Sequence, residues 1–200
     1  MFGMGIHTLY NIVDMMFIGR LGGNAIAGVA FNMPIFFLML GLTMGLGSGV
    51  TASIARYIGE NNKKNADNSA EHALALAAVI ALVFTSAGLF FGKKILVALG
   101  AEGEILTLGW DYLYIIIIGL PFMIFSGFFR SILAGEGDMK FPMMVAGLGT
   151  ILNIILDPIF IFKLEEYGGI GFGIGVKGAA MATAVSYTHL RAHETDSYLV

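Results

Sequence analysis

From Leu21 to Ala55 the chain contains no Asp, Glu, Lys, Arg or His. A water-soluble helix needs a polar face, so an uncharged run of this length points to a lipid environment. The rest of the sequence agrees: 57% of residues are hydrophobic and 12% charged, which describes an integral membrane protein. A net charge of −3 argues against a nucleic-acid partner. Without cysteine there is neither a disulfide framework nor a thiolate metal site. The 28 glycines suit helices whose backbones approach closely in a membrane.

Hydrophobic periodicity and turn residues predict membrane helices at about 4–19, 24–55, 70–92, 105–134, 139–162 and 178–186. The first is short for a span of about 20 residues, and its upstream half is expected before Met1. The polar stretch 56–72 reads as a solvent loop, with Asn68-Ser-Ala-Glu71 as a capping box for the third helix and Lys93-Lys94 closing it. Gly41, Gly45 and Gly49, continued by Ser48 and Ala52, make a small-residue stripe expected to receive another backbone. Pro121 predicts a kink in the fourth helix, where Phe122, Phe125 and Phe129 form a stripe better suited to packing than to ligand binding. Asp138 can cap the fifth helix, and Pro142 is tolerable in its first turn. After Ser186 the composition turns polar where a helix should be half-way across. Residues 187–200 therefore read as a non-native tail, similar to a translated sequencing adapter, and His189 and His193 are not taken as ligands.

The chemistry concentrates in Thr150-Ile-Leu-Asn-Ile-Ile-Leu-Asp-Pro-Ile-Phe-Ile-Phe162. A carboxylate in mid-membrane costs about 2.5–3.5 kcal/mol on insertion scales, so it calls for a partner, a proton or an ion. Asn153 and Asp157 are spaced i, i+4, with Thr150 one turn earlier, and share a helix face. Pro158 lacks an N–H, which frees the carbonyl of Ile154 beside the acid. A buried structural acid bonded to Asn153 is the plainer reading. A second intramembrane acid, Asp14, on a stripe with His7 and Asn11, favours a proton or cation site.

Other motifs carry less. Gly173-Ile-Gly-Val-Lys-Gly178 matches a dinucleotide fingerprint, but no βαβ unit surrounds it. Gly47-Ser48-Gly49 lacks the first glycine of a nucleophile elbow, and neither His7 nor His72 has a metal-ligand partner at a useful spacing. No enzyme constellation emerges. Lys and Arg divide five against five between alternate loops, so charge does not set the orientation.

Taken together, Leu9-Tyr-Asn-Ile-Val-Asp14, Phe17-Ile-Gly-Arg-Leu-Gly22, the glycine stripe to Ala55-Arg56, Leu133-Ala-Gly-Glu-Gly-Asp138, Asn153 to Pro158 and Gly178-Ala-Ala-Met-Ala-Thr183 resemble the N-terminal half of multidrug and toxic compound extrusion (MATE) transporters. The resemblance covers residues 1–186 in order. It implies an all-α, six-helix lobe of a two-lobe (6+6) transporter, multi-pass in the cell membrane, with its first and sixth helices incomplete and its C-terminal lobe missing. It implies an antiporter coupled to H⁺ or Na⁺, with no other cofactor, that exports amphiphilic, often cationic compounds. Carried over, the site comprises Asp14, Asn153 and Asp157, with Tyr112 and Thr183 as weaker matches; Asn11 is added from helix geometry. Two acids facing each other in an apolar lobe are not comfortably both ionised, so ion and substrate would displace one another. A lipid-linked oligosaccharide flippase of a related family, or a non-transport membrane subunit, remains as an alternative.

Overall fold

The computed structural model describes residues 15–163 and 171–186. Its elements are α1 (15–19), α2 (Gly23–Ala30), α3 (Met33–Gly59), α4 (Lys63–Ala98), α5 (Gly103–Glu136), α6 (Lys140–Ile161) and α7 (176–186). The only β-type pairing among the described residues is a bridge between Lys163 and Phe172. Four stretches are long and apolar enough to cross a membrane: Gly23–Gly59, which joins α2 and α3, then α4, α5 and α6. At most 39% of each apolar window is buried inside the bundle, so most of that surface is available to lipid.

α5 is the hub, packing against α2, α3 and α4. Small residues bring it close to α3. A Cβ on Gly127 would meet Thr43 at 2.7 Å, one on Gly47 would strike the Ser131 hydroxyl, and one on Gly135 would meet Ile54 at 2.8 Å. Thr51 Oγ1 also donates to the Ser131 carbonyl at 2.8 Å. This seam uses residues 43, 47, 51 and 54 of α3. The stripe singled out from sequence is not the one that packs: nothing described lies within 4 Å of a Cβ at Gly41, Gly45 or Gly49.

The stretch 56–72 is not a loop. α3 runs to Gly59 and α4 starts at Lys63, so only residues 60–62 turn. Asn62, not Asn68, caps α4, accepting from the Asn65 N–H at 3.2 Å. The polar residues of this segment are compatible with helix, and they extend α4 beyond its apolar part. α4 likewise continues past Lys93-Lys94 to Ala98, with Leu96 fully buried. α5 is continuous through Pro121. Phe125 packs against the core and Phe122 is exposed, but the fully buried ring is Phe128, off the stripe. Asp138 caps α6 as expected, its Oδ1 accepting from the N–H groups of Lys140 and Phe141 at 2.9 and 3.2 Å.

Candidate functional site

α6 buries one stripe, namely Pro142, Val145, Gly149, Asn153, Asp157 and Ile161, at spacings of three or four. Met143, Met144, Leu148, Ile151 and Ile155 occupy its exposed face. The helical period therefore turns the two polar residues inward, and both are 0% exposed. Thr150 does not join them. It lies about 60° round the helix from Asn153, half-buried, and donates to its own helix at Ala146 O, 3.0 Å away.

Asn153 links the acid to a second helix. With its amide oriented to satisfy both ends, the nitrogen donates to Asp157 Oδ2 at 3.0 Å and the oxygen accepts from the Thr183 backbone N–H at 3.3 Å. The opposite orientation leaves one longer contact, 3.4 Å to Asp157 Oδ1. We adopt the first because buried polar atoms are nearly always paired.

Further contacts hold α7 in place. A Cβ on Gly119 of α5 would lie 2.9 Å from Ala184 Cβ, so only the Ala184 methyl separates the helices there. Nearer the start of α7, Lys177 Nζ and Asp111 Oδ1 are 3.2 Å apart. Finally, the segment before α7 caps α6. The N–H groups of Phe172, Ile174, Gly175 and Gly173 donate to the carbonyls of Ile159, Phe160, Ile161 and Phe162 at 2.8, 2.9, 3.2 and 2.7 Å. A helix end leaves four carbonyls without partners, and this segment supplies all four donors. Gly173 and Gly175 have φ of +63° and +64°, a conformation that glycine adopts without a steric penalty. The motif that matched a dinucleotide fingerprint is thus a helix cap.

The structure brings Asn153, Asp157 and Thr183 together. Tyr112, half-buried on α5, packs against the cluster of Ile161, Phe162, Val176 and Ala179, one turn of α6 beyond Asp157. Phe17 and Ile18 reach the same cluster, and the Phe17 and Phe162 rings meet edge-on at 5.8 Å. Asp14 and Asn11 lie outside the described residues, as does the tail 187–200. Sequence reasoning missed Asn32, a buried amide between α2 and α3. Its signal was an asparagine two residues before Pro34 in an uncharged run. Among the described residues no three His, Asp or Glu side chains converge as a metal site.

Membrane-crossing helices around a buried amide–carboxylate pair define a multi-pass membrane protein of the transporter type. The MatE family profile matches residues 1–159. The FAD transporter of Shewanella oneidensis is 30% identical over 98% of this chain and 43% of its own length. The multidrug export protein MepA of Staphylococcus aureus is 31% identical over 93% of this chain and 40% of its own. Among solved structures, a MATE protein in complex with MaD3S superposes with a TM-score of 0.88 at 36% identity, covering 96% of this chain and 41% of that one. A MOP superfamily transporter from Pyrococcus furiosus gives 0.87 at 37%, covering 96% and 40%. The chain belongs to the MatE family of multidrug efflux transporters, multi-pass proteins of the plasma membrane, and spans about two-fifths of the length of these relatives.

Proposed function

We propose that this chain is the ion-coupling N-terminal half of an antiporter, driven by H⁺ or Na⁺, that exports amphiphilic and often cationic compounds. The observation that carries the reading is Asp157, a fully buried carboxylate whose neighbour Asn153 reaches the backbone of a second helix. An acid at membrane depth is costly to keep charged, so taking up a proton or Na⁺ there changes the balance between two packings. A cationic substrate bound by the competing packing would then displace the ion, and the ion the substrate. In this scheme Asp14 supplies a second acid, Asn11 and Tyr112 polar neighbours, and Thr183 the contact on α7. The bare face at Gly41, Gly45 and Gly49 would receive the other half of the transporter, and the remaining apolar surface lipid.

The test is Asp157→Asn in the full-length transporter reconstituted in liposomes. Export of a fluorescent cation driven by an imposed H⁺ or Na⁺ gradient is expected to vanish while the yield of folded protein is retained. Undiminished gradient-driven export would remove Asp157 from the mechanism. FAD, measured as a competing substrate in the same liposomes, separates the two activities that the relatives' names carry.

A further inference from the structure

The α1–α2 turn, the start of α5 and the start of α7 enclose a cavity of about 330 Å³ at one end of the bundle. Its volume is that of a small-molecule site, roughly 300–1,000 Å³. The floor is apolar: Ala25 and Val176 are buried, and Leu108 packs against their cluster with Ile161 and Phe162. Leu21 and Ile174 line the more exposed part. One wall is fixed by main-chain bonding, because Ile174 and Gly175 belong to the segment whose N–H groups cap α6.

The charges around this space do not balance. Glu104, Leu108 and Asp111 fall on one face of α5, at spacings of four and three. The lining therefore carries two carboxylates against a single ammonium, Lys177. Glu104 Oε2 accepts from Asn24 Nδ2 at 2.6 Å, a neutral partner that leaves its charge uncompensated. Arg20, beside Leu21 in the turn, holds its guanidinium 5.8 Å over the Phe162 ring and does not line the cavity. Lys177 Nζ lies 3.2 Å from Asp111 Oδ1. That bond is weak, since the two side chains are 48% and 30% exposed and solvent screens such pairs. Lys177 is also the second residue of α7, where the helix dipole disfavours positive charge. A metal ion fits poorly. The two carboxylates are seven residues apart, about 10 Å along α5, and are engaged by different neighbours, whereas a metal needs several converging oxygens. The surplus negative charge disfavours an anion.

We propose that this cavity binds an amphiphilic organic monocation. Its charged group displaces the Lys177 ammonium from Asp111, its apolar body lies on Ala25, Leu108 and Val176, and Glu104 adds attraction from the next turns of α5. Lys177 is then a tethered competitor, which keeps the site occupied and its affinity moderate until a ligand arrives. Displacing it leaves α7 in place, because the cap on α6 and the Gly119 contact remain. The site is separate from the coupling pair: Val176 lies seven residues before Thr183, about 10 Å along α7. It requires no ion coupling at Asp157.

The experiment is photolabelling of the full-length transporter in lipid nanodiscs with a trimethylammonium amphiphile that bears an aryl azide. No ion gradient is applied, so the result does not depend on the role of Asp157. Saturable adducts are expected on segments 21–25 and 174–177. Asp111→Asn should raise the half-saturating concentration about tenfold, through loss of the carboxylate that takes the cation. Lys177→Gln should lower it several-fold, by removing the competitor. A pair with only a structural role would move both variants in the same direction. Shifts of like sign, or no saturable adducts on the two segments, would overturn the proposal. Should either variant fail to fold, competition on the native protein decides, using the azide-free amphiphile and its uncharged tert-butyl isostere. Stronger competition by the cation upholds the site, and equal competition overturns it.

Discussion

Replacing both members of the buried pair should cost less than the two single replacements added together. Asn153→Leu leaves the Asp157 carboxylate without its amide donor, a loss of about 1–3 kcal/mol for a buried polar group. It also removes the bond to the Thr183 N–H, and such interhelical bonds in membranes average about 0.6 kcal/mol. Asp157→Leu strands the amide nitrogen instead, again about 1–3 kcal/mol. In the double variant the contact between the two side chains is gone from both sides, and the Thr183 bond, about 0.6 kcal/mol, is lost once. The cycle should therefore fall short of additivity by about 2–6 kcal/mol, the sum of the two stranding terms. Equilibrium unfolding of the full-length transporter in mixed micelles, titrated with SDS, measures each corner. Additivity to within about 0.5 kcal/mol would mean that the two side chains do not interact, and the site as drawn would be wrong. Transport adds a second axis: every variant of this cycle is expected to be inactive, so the double variant would be nearly stable and dead.

Three further outcomes follow from the packing. Gly28→Ala must push back the Gly109 backbone and should destabilise the protein by about 1–3 kcal/mol, whereas Gly41→Ala in the 200-residue chain should be neutral or stabilise by up to about 1 kcal/mol; thermal unfolding compares them. Asp138→Ala removes the acceptor for two N–H groups at the start of α6 and should cost about 1 kcal/mol, with faster amide exchange confined to 140–143. Pro158→Ala restores a donor to the Ile154 carbonyl and should slow amide exchange over 154–162 while reducing the transport rate.

Periodicity located the helices because each buries one stripe, and it turned Asn153 and Asp157 inward for the same reason that it turned Val145 and Ile161 inward. Thr183 came only from the family resemblance, as a weaker match; the small-residue run 178–186 calls for a closely packed helix but does not single that residue out. Helix ends were harder to read. Arg56 and Lys93 were taken as boundaries because charge marks the limit of the apolar layer, yet a helix does not stop where the lipid does. The glycine stripe of α3 finds no partner among the described residues for a related reason. Gly41, Gly45 and Gly49 permit close approach, but the close approach occurs along Thr43, Gly47 and Thr51, where α5 offers Gly127 and Ser131 in return. Permission lies in one helix, and the contact is decided by two.

The strengths of the contacts around α7 indicate where the lobe can yield. Asn153 ties it to the acid through a bond of 3.3 Å, worth less than 1 kcal/mol by the membrane average. Its other attachments are stiffer: four backbone bonds join the preceding segment to the end of α6, and Gly119 packs directly on the Ala184 methyl. Losing the Asn153 bond therefore cannot release α7. The softer element is α6 itself. The hydrogen bond that Pro158 removes, to the Ile154 carbonyl, belongs to the turn that carries Asp157, just before the cap at 159–162. A change of charge on Asp157 acts on that turn directly, from the residue next to the proline. Under the proposed mechanism, movement is then expected in the inner part of α6, with α7 and the capped end as the fixed frame against which it moves.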